Sequence, residues 1–122
     1  MTRTFIAVAI AASLAGASRV SAHHSYAAYD TTRLVEIEGT IEEFQYLSPH
    51  SLLRVRDRDG RLYVFEWLAI NAMKRWSIEA DTLKKGEHVI VGGNPRRDFD
   101  ESGIVNCKSV RRPADDWKWP NR

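Results

Sequence analysis

Four histidines, His23, His24, His50 and His88, are the side chains of this chain best suited to chemistry, and two of them stand side by side. Val20-Ser21-Ala22 immediately before the pair is a small-residue exit of the kind that ends a secretory signal, so cleavage there leaves His23 at a new amino terminus. A free α-amine and the Nδ1 of His23 then close a bidentate chelate. His24 adds an imidazole and a backbone amide that Cu(II) can deprotonate. Nitrogen ligands in tetragonal geometry favour copper among the divalent first-row metals. His50, which follows Pro49 in a loop, is the candidate third nitrogen. The expected metal ligands are therefore His23, His24 and His50, with copper as the cofactor. The plain alternative is a solvated chain end and a Pro-His turn whose imidazole bonds to backbone. His88 opens an apolar stretch and is expected at the surface.

The amino-terminal residues support the cut. Arg3 precedes an apolar run from Phe5 to Gly16 that holds no acidic residue and is too short to span a bilayer. The expected division is a signal segment at 1–22, an arm at 23–33, a folded domain at 34–113 and a polar tail at 114–122. Localisation follows as periplasmic or secreted, with no membrane attachment after cleavage. Loss of Arg3 and Arg19 brings the 18 basic residues level with the 16 acidic ones. A neutral exported domain lacks the basic groove that phosphates need, which excludes nucleic acid as a partner. Cys107 is the only cysteine, so stability must come from packing rather than an internal disulfide, and its alternation with Val105 and Ser109 makes it a buried, inert thiol.

The elements that must position these groups are mostly strands. Residues 34–44 alternate, with Val35, Ile37, Gly39 and Ile41 on one side and Glu36, Glu38, Thr40 and Glu42 on the other; Gly39 marks a bend. Leu52 to Arg56 resumes the alternation, Asp57-Arg58-Asp59-Gly60 turns the chain, and Leu62 to Leu68 returns as a third strand. From Ala69 to Trp76 the period changes to that of a short helix. Asp81 to Gly86 reads as a capped turn. His88 to Gly92 and Ile104 to Val110 read as the last two strands, with a polar loop between them. The tail, polar apart from Trp117 and Trp119, is expected to pack loosely or fray. The fold class is all-β with one short helix, in the order β-β-β-α-β-β: a small five-stranded, OB-fold-like barrel with Val35, Ile37, Ile41, Leu53, Val55, Val89 and Val91 inward. A split β-sandwich is the alternative.

Several segments, in order, carry a resemblance: Ala22-His-His-Ser-Tyr-Ala-Ala-Tyr-Asp30, Glu38-Gly-Thr-Ile41, Ser48-Pro-His50, Phe65-Glu66, Asn71-Ala-Met-Lys-Arg75, Leu83-Lys-Lys-Gly-Glu87 and Val89-Ile-Val-Gly92. Together they resemble a domain-of-unknown-function family of small exported bacterial proteins. The resemblance implies an exported single domain and no established activity. The chain departs from that pattern around the helix, at Ala69-Ile70-Asn71 and Arg75-Trp76-Ser77. A more distant similarity to periplasmic OB-fold stress proteins rests on element order alone.

Two binding functions compete. One is a copper-handling module built on the amino terminus. The other is a metal-free module that takes a small envelope ligand or partner protein on its sheet face, through Tyr63, Phe65, Trp67 and Glu66. Glu66 interrupts an apolar strand, so it lies either on the open face or against Arg54, Arg56 or Arg75, since a lone buried carboxylate is costly. The sequence contains no phosphate loop, nucleophile elbow, Cys-x-x-Cys or haem attachment motif. No catalytic residues are assigned and no enzyme is expected; the enzymatic alternative is a histidine-brace oxidase.

Overall fold

The computed structural model describes residues 27–121; His23, His24 and the expected signal segment lie outside them. The alternating apolar residues of the first long segment form β1 (Val35–Gln45), which is shared between two neighbours. Its first half pairs with β4 (His88–Pro95), from Val35↔Gly93 to Thr40↔His88. Its second half pairs with β2 (Leu52–Arg56), from Thr40↔Arg56 to Gln45↔Leu52. Gly39 sits at the crossover. A Cβ there would lie 2.3 Å from the Arg56 carbonyl oxygen, so only glycine lets the strands approach this closely.

A bulge at Glu42 then shifts the phase of β1. Ile41 pairs with Val55 and Glu43 with Arg54, which leaves Glu42 as the extra residue. Ile41 and Phe44 consequently both face the core, while Glu42 pairs with Arg56 outside at 3.0 Å. Glu36 and Glu38 are exposed, as the alternation requires. Val35 and Ile37 pack against the core but stay half-buried.

The Asp57–Gly60 turn joins β2 to β3 (Leu62–Glu66). Asp57 Oδ1 accepts from the backbone N–H of Asp59 and Arg61, and Gly60 supplies the positive φ of 87°. After α1 (Ile70–Arg75), β4 and a single helical turn, α2 (Phe99–Ser102), the chain enters β5 (Ile104–Arg112). β5 pairs antiparallel with β4 and parallel with β3, from Val64↔Ile104 to Glu66↔Asn106. That parallel seam closes the ring β1-β2-β3-β5-β4, the small five-stranded barrel expected from the element order. Leu53, Val55, Phe65, Val89, Val91, Val105 and Val110 are fully buried inside it, and Met73, Ile78 and Leu83 join the same core. Each such side chain contributes about 1.5–3 kcal/mol of burial, which is how a barrel with strands of 5 to 11 residues holds without a disulfide.

Two segments differ from expectation. The polar stretch before β5 is ordered as α2, because the Arg61 guanidinium donates to the carbonyls of Phe99 (2.8 Å) and Asp100 (2.9 Å) while lying over the Tyr63 and Phe99 rings. The tail does not fray. It turns at Asp115-Asp116 and returns as β6 (Trp117–Trp119), paired with β5 from Val110↔Trp119 to Arg112↔Trp117. Arg112 holds the turn through both Asp115 oxygens, Glu87, the Thr82 carbonyl and the Trp117 ring. The capping role expected of Asp81 falls instead to Thr82, whose Oγ1 accepts from the Glu79 N–H at 2.8 Å.

Candidate functional site

The two strands that flank the parallel seam part after one last rung, Glu66↔Asn106. Beyond it β5 continues alone on that edge until Val110 meets Trp119 of β6. Over this gap lies a cleft of about 330 Å³, lined by groups from β3, β5, β6, the Pro49-His50 loop and the amino-terminal arm. Along β5 Val105 and Cys107 are buried, while Asn106 and Lys108, the latter the extra residue of a bulge opposite Gly92 and Gly93, line the cleft with Glu66. A carboxylate, an amide and an ammonium thus share one wall.

Tyr29 forms the opposite side. The arm is fixed by backbone bonds from the Asp30 N–H to the Pro95 carbonyl and from the Arg97 N–H to the Ala28 carbonyl, both 2.8 Å, around a Tyr29↔Arg96 bridge. This buries Tyr29 and brings its hydroxyl to the Glu66 carboxylate. Burial, and then the neighbouring Glu66, push the phenol far above its ordinary range.

The floor is aromatic. Trp67, buried just past β3, meets Trp119 edge to face at 5.1 Å, and Trp119 meets Trp76 at 5.9 Å. The indole nitrogens of Trp67 and Trp119 are both buried without a hydrogen-bond partner. An indole nitrogen only donates, so two donors at this floor await an acceptor. Cys107 also lines the cleft, but burial drives its thiol far above the ordinary range and leaves it inert; its Sγ–H points to the Ser109 carbonyl at 3.8 Å.

The sequence-derived candidates separate on this geometry. Glu66, Trp67 and exposed His50 line the cleft together. Tyr63 and Phe65 do not, which corrects their assignment to a ligand face. They occupy the inward positions of β3, Phe65 fully enclosed and Tyr63 stacked on Phe99 at 5.8 Å, because the alternation that turns Glu66 outward turns them into the barrel. Glu66 also lacks the arginine partner that its strand position suggested. Arg54 and Arg56 are engaged by Glu43 and Glu42. His88 is exposed and bonded to Glu38 at 2.8 Å. Among the described residues no three His, Cys, Asp or Glu side chains converge as a metal site. Tyr29, Asn106, Lys108 and Trp119 were not singled out by sequence. Their outward or inward phase was legible, but their convergence depends on the β3–β5 seam and on the returning tail.

The family of unknown function DUF6152 matches residues 10–106. The chain belongs to this family. The DUF6152 match covers most of the barrel and ends at Asn106, so Lys108 and Trp119 of the cleft lie beyond it. No curated protein and no solved structure matches the chain.

Proposed function

We propose that this DUF6152 protein is a small exported binding module that takes a small organic ligand in the cleft at the β3–β5 seam. The observation that carries the reading is the convergence of Glu66, Asn106 and Lys108 on one wall above the Trp67–Trp119 floor. A concave, largely apolar surface with a few placed polar groups is the usual form of a small-ligand site. The role is binding rather than catalysis: the groups in the cleft donate, accept and stack, while its thiol is buried and inert. The test is a fragment screen on isotopically labelled protein. Ligands whose chemical-shift changes cluster on Glu66, Asn106, Lys108 and the indole N–H of Trp119 support the reading; shifts scattered elsewhere, or none, reject it.

A second reading, copper binding, is favoured by one observation. His50 and Tyr29 line the same cleft, and Tyr29 stands six residues after His23, a reach of at most about 20 Å for extended chain. A processed amino terminus at His23 is thereby within range of the His50 imidazole. Cu(II) titration of the chain beginning at His23, beside one carrying an extra amino-terminal alanine, tests it. Tighter binding by the first supports the amine chelate, and equal affinity rejects it. His50→Ala weakens binding only where the loop completes the site.

A further inference from the structure

Glu66 and Lys108 are neighbours without being partners. Glu66 sits opposite Asn106, and Lys108, at a bulge two residues further along β5, lines the same cleft. Among the described residues neither enters an ion pair. The Tyr29 hydroxyl lies beside Glu66, whose carboxylate has lone pairs for another donor. Lys108 is exposed on its flexible stem. The Trp67 and Trp119 rings line the same cleft.

This arrangement rejects ligands of a single charge. A simple anion drawn to Lys108 meets Glu66, and a simple cation drawn to Glu66 meets Lys108, each at short range in a partly enclosed space where repulsion is weakly screened. A molecule carrying both charges on one small framework satisfies both walls. We infer, on the basis of the small-ligand reading above, that the cleft takes a zwitterion of the α-amino-acid kind. Its ammonium is held by Glu66, its carboxylate by Lys108, and its apolar side chain by the Trp67 and Trp119 rings. Charge-assisted bonds of this type are about 2.7–2.9 Å long, which a ligand bridging the two walls accommodates. The Trp67 and Trp119 rings line the cleft, so a ligand seated there changes their surroundings. Binding therefore registers in tryptophan emission.

The experiment is a calorimetric and fluorescence titration of the full chain with three matched probes: L-phenylalanine, 2-phenylethylamine, which lacks the carboxylate, and 3-phenylpropionate, which lacks the ammonium. Phenylalanine is expected to bind at least tenfold more tightly than either analogue. Glu66→Gln is expected to reduce its affinity to that of phenylpropionate, and Lys108→Met to that of phenylethylamine, with thermal unfolding unchanged for the exposed Lys108 position. The comparison of probes on the unmodified chain stands whether or not the Glu66 variant folds. An analogue that binds as tightly as phenylalanine, phenylalanine binding indifferent to both substitutions, or no binding of phenylalanine overturns the inference. Shift changes that still map to the cleft with fragments of one charge or none would leave the small-ligand reading standing and remove only the zwitterion.

Discussion

Glu66 faces Asn106 across the last rung of the parallel seam, and everything that makes the cleft follows from the strands separating at that point. A continued β3–β5 ladder would cover the edge of β5 and draw Trp67 and Trp119 apart. Instead β6 takes up the pairing four residues later, and the gap between is walled by side chains.

Removing the tail tests whether β6 belongs to the fold. Truncation after Pro113 removes Trp117 and Trp119, both half-buried against the core, and the edge contact between Trp119 and Trp67. A loss of about 2–4 kcal/mol is expected from large aromatic deletions of this kind, discounted for partial exposure. Urea denaturation checks it, and a truncated chain as stable as the whole would mean that the tail is an ornament on the barrel.

The same hairpin is expected to release in acid. The Arg112 guanidinium bonded to Asp115 holds that carboxyl below its ordinary value, so the folded pKa lies under the unfolded one. A depressed carboxylate contributes stability that is complete above its unfolded pKa of about 3.9 and is lost as pH falls through the lower folded value. Emission from Trp117 and Trp119 should therefore shift toward that of exposed indole below about pH 4. Asp115→Asn should show the shifted emission already at neutral pH and no acid step, and a retained step in that variant would assign the event to another group.

Gly39→Ala is expected to be among the most damaging single-methyl additions. The new Cβ would fall 2.3 Å from the Arg56 carbonyl oxygen and 2.9 Å from a Val55 methyl, where backbone must move. Overpacking of this severity costs about 3 kcal/mol or more. A thermal melt of the variant within error of the parent would show that β1 bends elsewhere.

Cys107 should resist thiol reagents in the folded protein. Its enclosure disfavours the thiolate, the species that reacts. Labelling with a thiol-specific chromogenic disulfide at pH 8 is expected to be slow in buffer and complete in urea. Equally fast labelling in both would indicate that the β5 wall opens readily at the cleft.

Copper affinity, where the amino terminus is processed at His23, should fall as pH drops below about 6. An α-amine of pKa about 7.7–8 and an imidazole must both lose their protons to ligate, so protons compete for each nitrogen. Flat affinity between pH 5 and 8 would exclude both as ligands.

The sequence by itself determined the elements and their order, because local physics decides them. Alternation at 34–44, the Asp57–Gly60 turn and the change of period at Ala69 specify strands, hairpin and helix before any long-range contact forms, and all three recur in the structure within a residue or two. The outward placement of Glu66 and the burial of Cys107 follow from the same alternation. At β3 the same alternation turns Tyr63 and Phe65 inward, away from the face of Glu66. Composition misled in the tail, whose polar character conceals that Arg112 gathers Asp115, Glu87 and Trp117 into a hairpin. The site itself was decided by tertiary structure. Tyr29, Glu66, Asn106, Lys108 and Trp119 come from an arm, two strands paired in parallel across 40 residues of sequence, and a returning edge strand. Periodicity reports which way a side chain points, but which strand lies beside it is a matter of chain closure, and that is settled only when the barrel closes.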